Sequence, residues 1–245
     1  MCIRDRVRAA WPRGPRQWGH LALTGVLMHA GYLGGVWAAV KHGIGAGTVA
    51  LIVGLQPLLT ALWVNARARG NPVSGRQWLG LSLGLAGLLL VVQHKLGAGE
   101  LSAVNLALAL GALASITVGT LYQKRFVAPC DVRTANAVQL LAALLVTLPF
   151  ALLETEPMVL HAELLGAMAW SVLVLTLGGS SLLYLLIQRG AATRVTSLLY
   201  LVPPCTALLA WALFGEALTI EAVVGVLVTV AGVALVVREP AAPRR

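Results

Sequence analysis

Charge is what this sequence has least of. Lys and Arg number 18 and Asp and Glu 9, together 11% of 245 residues. A soluble domain carries about 25% charged residues, so this chain has too few polar side chains to cover a water-facing globule. Cysteine is also scarce. Cys2, Cys130 and Cys205 show no C-x-x-C and no paired spacing, which excludes a disulfide framework and a zinc cluster. The histidines His20, His29, His42, His94 and His161 lie apart, and no His/Asp, Cys/His or H-E-x-x-H set accompanies them. An enzyme would need such a nucleophile, base or metal constellation, so the chain is read as a non-enzyme and no cofactor is implied. The net charge of +9 would point to nucleic acid only if the basic residues clustered on one face of a soluble fold. They sit instead between apolar runs, and no nucleic-acid partner is expected.

What is abundant is apolar residue, 58% of the chain. A bilayer core of roughly 30 Å needs about 20 helical residues. Apolar runs of that order fall near 18–40, 45–64, 77–93, 102–123, 135–153, 164–187, 195–214 and 220–237. Irregular backbone cannot face lipid without unsatisfied amides, so these runs are helices. The expectation is an all-α polytopic membrane protein with eight transmembrane helices and the lipid bilayer as its principal partner.

The loops sort by charge in support of that count. Placing 1–17 in the cytoplasm puts Arg4, Arg6, Arg8, Arg13, Arg16, Arg67, Arg69, Arg76, Lys124, Arg125, Arg133, Arg189, Arg194, Arg238, Arg244 and Arg245 on the same side, 16 of 18 basic residues. Six acids, Glu100, Glu154, Glu156, Glu163, Glu216 and Glu221, fall on the other side. This is the asymmetry expected of cytoplasmic loops, and it predicts that both termini are cytoplasmic. Trp18, Trp37, Trp63, Trp78 and Trp211 lie near span ends, where indoles anchor at the headgroup level.

The chain also repeats itself. At an offset of 146, Leu55-Gln56-Pro57-Leu58-Leu59-Thr60-Ala61-Leu62 matches Leu201-Val202-Pro203-Pro204-Cys205-Thr206-Ala207-Leu208 in Leu, Pro, Thr, Ala and Leu. At an offset of 145, Gly80 matches Gly225, Ala86-Gly87 matches Ala231-Gly232, and Val91-Val92 matches Val236-Val237. The matched helices are five spans apart, so the second copy crosses the membrane in the opposite sense. Inverted repeats are the architecture of many secondary transporters. The organisation expected is a basic segment 1–17, three helices of a first repeat over 18–93, five helices of a second over 102–237, and a tail 238–245. Completing the first repeat would require two further helices ahead of residue 18, ten in all, and the stretch beginning Met1-Cys2-Ile3-Arg4-Asp5-Arg6 is basic and has no apolar run to supply them.

A solute path needs groups that replace water, so polar and kinked residues inside spans are the candidate site. Pro57 frees the carbonyl of Val53, and Pro203 and Pro204 free those of Leu199 and Tyr200. Around these breaks lie Gln56, Thr196 and Tyr200, and elsewhere His29 and Tyr32 in the first span, Asn105, Ser115 and Tyr122 in the fourth, and Ser181 and Tyr184 in the sixth. Asn105, Ala112, Ser115, Gly119 and Tyr122 recur at helical spacing and share a face, while Asn136 and Gln139 mark the fifth span. Hydroxyls in such helices commonly bond back to their own helix. Amides and phenols are harder to satisfy there. His29 is open to two readings, a proton relay or a neutral hydrogen-bonded histidine. Gly31 with Gly35 and Gly80 with Gly84 have the spacing of close helix contacts.

Residues 18–237 resemble the drug/metabolite transporter superfamily, specifically its EamA-type (RhaT-like) exporters. The resemblance is carried by Gln77-Trp78-Leu79-Gly80 with Ala86-Gly87, by Gly119-Thr120-Leu121-Tyr122-Gln123-Lys124-Arg125, and by Leu199-Tyr200-Leu201-Val202-Pro203 with Phe214-Gly215-Glu216. Two departures stand out: Val202 occupies a place where many relatives have Glu, and a Gly-Glu pair is missing after the helix ending near Asn65. The resemblance implies an integral protein of the plasma (bacterial inner) membrane, built as a 5+5 inverted-repeat bundle, that exports a small-molecule substrate by alternating access. A lining without fixed charge favours a polar neutral, zwitterionic or amphipathic solute such as an amino acid. A passive channel and, less well supported, a membrane-embedded lipid-modifying enzyme are the alternatives. A homodimer is allowed but not required by these residues.

Overall fold

The computed structural model describes residues 11–67, 73–93, 101–155, 160–190, 192–214 and 219–237. The segments 1–10 and 238–245, and Gly215 and Glu216 of the motif noted above, lie outside the described residues.

The described elements are helical. Helix α1 winds as α over Pro15–Gly25, as a wider π-helix over Val26–Gly34, and as α again over Gly35–Lys41. Helix α2 comprises Ala46–Val53 and Gln56–Arg67. Then follow α3, Gly75–Val92; α4, Ala103–Phe126; and α5, Val132–Leu152. Helix α6 is α over Ala162–Ala169, π over Trp170–Gly179 and α over Ser180–Arg189. Helix α7 is three pieces, Ala192–Ser197, a 3-10 turn Leu198–Leu201, and Val202–Phe214, and α8 is Ile220–Val237.

Among the described residues, seven helices are long and apolar enough to cross a membrane: α1 to α6 and α8. The eighth expected span, 195–214, is the broken α7 and does not form one continuous helix of that length. The reason is local. Pro203 and Pro204 have no amide hydrogen to give to the preceding turn, and the chain tightens there so that Val202 N donates to Leu199 O.

Local signals set the helix ends. Gly43, at φ +96°, stops α1 in a Schellman arrangement in which Ile44 N donates to Ala39 O and Gly43 N to Val40 O. Ser74 opens α3 with a capping box: its Oγ accepts from Gln77 N and its own N donates to Gln77 Oε1, both at 3.2 Å. Ser102 and Asn105 repeat the arrangement at the start of α4, at 3.2 and 3.0 Å.

The chain folds as two units, one of residues 1–34 with 118–190 and one of 35–117 with 191–245. In the first unit α1 packs on α5 and α4 through glycine: a methyl on Gly25 would collide with the main chain of Gln139, and one on Gly119 would come within 2.7 Å of Met28 Cγ. Leu21, Val127, Ala135, Val138 and Tyr184 form its core.

In the second unit α3 lies against α8. A methyl on Gly80 would stand 2.6 Å from Gly232 O, and one on Gly232 would stand 2.6 Å from Gly80 O. Gly87 and Gly225 exclude each other's methyl in the same way, at 2.6 and 2.7 Å. The helices are therefore antiparallel, and Gly80 and Gly87 each meet the glycine matched in sequence to the other. Such reciprocity is the mark of a two-fold contact. Leu81, Leu88, Val92, Tyr200, Val233 and Val236 close the core around it.

The helical irregularities are paired along the chain. The π stretch Val26–Gly34, shifted by 145, becomes 171–179 and falls inside Trp170–Gly179. The break at Gly54-Leu55, shifted by 146, becomes 200–201 and falls inside the 3-10 turn Leu198–Leu201.

Candidate functional site

Each unit buries neutral polar side chains against a helical irregularity. In the second unit, α2 is interrupted at Gly54-Leu55, three residues before Pro57 and two before Gln56. Gln56, Pro57 and Thr60 are buried on the helix that restarts there. The first piece of α7 packs on this same stretch of α2. It brings Thr193, Thr196 and Ser197, all buried, of which Thr196 and Ser197 bond back to their own helix. Tyr200, only 1% exposed, sits in the 3-10 turn with its ring against Gly84. Its hydroxyl and Thr60 Oγ1 have no hydrogen-bond partner among the described residues. Pro203 lies in the backbone of the following helix, and its side chain is outside the described residues.

Asn105 belongs to the second unit but sits at the start of α4, away from the helix breaks in sequence. Besides capping with Ser102, its Nδ2 donates to His42 O at 3.1 Å and ties α4 to the end of α1. That occupancy is structural. Asn105→Ala is expected to lower stability by about 1–3 kcal/mol, because it strands a carbonyl and removes a cap. Thermal unfolding in detergent checks this, and solute preference should not change.

The first unit holds several hydrogen-bonded sets of polar side chains. Gln139, on α5, hydrogen-bonds His29 of the π stretch and donates from Nε2 to Gln123 Oε1 of α4 at 3.4 Å. Asn136, one turn earlier on α5, donates from Nδ2 to Ser181 Oγ of α6 at 2.7 Å. Tyr184, one turn on from Ser181, shares a hydrogen bond with Cys130 Sγ at 3.1 Å. Nearer the helix ends His20 Nδ1 and Tyr122 OH are 2.6 Å apart, and Tyr122 packs against Phe126 with ring centroids 4.7 Å apart. Tyr32 is half-buried in the π stretch, and Ser115 is half-buried on the second unit's part of α4.

The sequence-selected residues thus divide. His29, Ser181 and Tyr184 belong to the polar groups of the first unit, with Tyr122 and His20 close by on the same helices. Gln56, Pro57, Thr196 and Tyr200 gather at the breaks of the second. Gln123 was not among the selected residues, although it is 1% exposed and central to its cluster. It stands beside Tyr122 in the motif 119–125, and no sequence spacing links residue 123 to residue 139. Asn136 and Gln139 are three apart on one helix face, which is a readable signal.

Fixed charge stays at helix ends among the described residues. Asp131, ahead of α5, accepts from Arg133 N at 2.9 Å and from Arg133 Nη2 at 3.1 Å. These bonds hold its carboxyl below the usual carboxylate range. Both partners face water, so the pair contributes little stability. Arg67 lies over the exposed ring of Trp63, 4.1 Å from its centroid.

A chain whose described elements are helical, with membrane-length helices and with neutral hydrogen-bonding groups buried beside helix breaks, has the makings of a polytopic membrane transporter. Comparison with known proteins makes the assignment particular. Residues 6–93 and 104–238 match the model of the EamA-like transporter family, and the chain belongs to that family. It is 26% identical to YvbV of Bacillus subtilis, an uncharacterized transporter, over 94% of this chain and 73% of that protein. It is 28% identical to YedA of Escherichia coli, an uncharacterized inner membrane transporter, over 81% of this chain and 64% of that protein. An uncharacterized transporter of Archaeoglobus fulgidus is 24% identical, over 92% of this chain and 80% of its own length. The chain thus spans less than two thirds of YedA and about three quarters of YvbV. A solved crystal structure shares the fold with a TM-score of 0.72 at 21% identity, covering 94% of this chain and 76% of that one.

Proposed function

We propose that this transporter is a secondary carrier that exports a small polar or amphipathic metabolite, such as an amino acid, by alternating access between two inverted repeats. The observation that carries the reading is the pairing of irregularities along the chain: a π stretch in α1 and α6, and a break in α2 and α7, each at an offset of 145 or 146 residues. Interrupted helices at corresponding places of two halves point to a midplane site, because unwound backbone is tolerated in lipid only where protein or a cavity covers it. The reciprocal glycine contact of α3 with α8 supports the inverted relation of the halves. Export follows the family resemblance, and cytoplasmic termini follow the basic loops.

The solute class follows from the lining. Amides, phenols and hydroxyls occupy both sites, and mid-span charge that would hold an anion is missing among the described residues. Counterflow in proteoliposomes tests this. Vesicles preloaded with neutral amino acids, sugars or organic anions should accumulate the matching labelled solute transiently and saturably, with neutral solutes preferred. Uptake that never saturates and shows no counterflow would mean a pore, and saturable exchange of anions alone would overturn the solute class.

A further inference from the structure

The polar sets of the first unit contain two groups that the helices leave open. Gln123, Asn136 and Gln139 are 1%, 4% and 3% exposed. Gln139 Nε2 is given to Gln123 Oε1, and Asn136 Nδ2 to Ser181 Oγ. Gln123 Nε2, a donor, and Asn136 Oδ1, an acceptor, meet no partner among the described residues. Asn136 and Gln139 are neighbours on one face of α5, with Cβ atoms roughly 5–6 Å apart, and Gln123 is bonded to Gln139. The open donor is thus on the side chain bonded to Gln139, and the open acceptor is on the residue one helical turn before Gln139. Each such group costs several kcal/mol when left unpaired in an apolar setting. A neutral ligand that supplies an acceptor and a donor side by side would satisfy both at once.

We propose that Gln123 and Asn136 form a recognition subsite for a primary carboxamide or ureide group on the transported solute. The group's carbonyl accepts from Gln123 Nε2 and its N–H donates to Asn136 Oδ1. Gln139 is the positioning residue, since it fixes Gln123 and is itself held by His29. This subsite rests on the carrier reading above and adds to it the chemistry selected. A carboxylate of the same shape has no proton for Asn136 Oδ1, and the side chains bonded in these sets carry no fixed charge to offset its own.

The test uses two isosteric pairs as probes, nicotinamide with nicotinate and L-glutamine with L-glutamate, on the full chain in detergent. Thermal unfolding is followed as each probe is titrated. In at least one pair the amide should act at a concentration on the order of ten- to a hundred-fold lower than its acid, the range set by leaving one buried acceptor unpaired. Gln123→Met keeps the length and removes both polar atoms. It exchanges one unpaired donor, Gln123 Nε2, for another, Gln139 Nε2, so it should unfold at a similar temperature while losing the amide preference. If that variant does not fold, the wild-type pairs decide. Acids equal to their amides in both pairs, no binding of either amide, or a preference that survives Gln123→Met would each overturn the subsite. Failure of the carrier reading shows elsewhere, as absence of counterflow for every solute tried.

Discussion

Gly232→Val is expected to leave little folded protein in detergent, with Gly232→Ala lowering stability by about 1–3 kcal/mol. A methyl at residue 232 would come within 2.6 Å of Gly80 O and of Gly84 N, and both belong to the backbone of α3, which cannot swing aside as a flexible side chain can. Alanine is favoured over glycine in helices by about 1 kcal/mol. That preference does little here, because membrane helices persist when their packing is lost and it contributes to both states. Gly87→Ala should fall by a similar amount, since its methyl meets Gly225 O at the same 2.6 Å. Gly80→Ala with Gly232→Ala should be less than additive, because both widen one gap between two helices. Gly111→Ala is the control: nothing lies within 4 Å of a methyl there, and its unfolding temperature should hold. A Gly232→Ala protein as stable as this control would show that the two helices do not meet at these glycines.

The same contact shows why part of the fold was legible. The register that matches Gly80 with Gly225 and Gly87 with Gly232 is written in the sequence, and small residues at helical spacing say that something must come close. What they do not say is which helix comes close. The crossed pairing, residue 80 on 232 and 87 on 225, follows only when the two copies are known to run antiparallel. The break read at Pro203 and Pro204 falls beside the 3-10 turn Leu198–Leu201 of α7, because two adjacent prolines leave the preceding turn without its amide donors. The π stretches were harder to foresee. Leu33-Gly34-Gly35 and Leu177-Gly178-Gly179, which bracket the ends of the two stretches at an offset of 144, are a sign in hindsight. A wide turn is a property of the whole helix in its packing, and composition leaves little trace of it. At the site, stripes along single helices were readable, and partnerships between helices were not. His29 and Ser181 were visible as polar residues in apolar runs. Their amide partners Gln139 and Asn136 stood out in α5 for the same reason, but the link to Gln123 needed the tertiary fold.

Tyr200→Phe should raise the unfolding temperature and impair transport, and the opposition of the two effects is the point of the experiment. The Tyr200 ring is 1% exposed and fills the space over Gly84, where a methyl would stand 2.5 Å from it. Its hydroxyl has no partner among the described residues and lies at the 3-10 turn that interrupts α7. Removing an unpaired buried hydroxyl while keeping the ring relieves a penalty of about 1–3 kcal/mol. A protein under selection for stability alone would gain by carrying phenylalanine at this position. If the hydroxyl is kept because a solute at the break bonds to it, Tyr200→Phe should cut counterflow by roughly the tenfold or more that a lost buried hydrogen bond implies. Tyr200→Ala separates the ring from the hydroxyl: emptying that space costs about 3–5 kcal/mol for an aromatic side chain, and both stability and transport should fall. A Tyr200→Phe carrier with undiminished counterflow would assign Tyr200 to packing alone and shift attention to Gln56 and Thr60, the other buried polar groups at this break, of which Thr60 also has an unpaired hydroxyl.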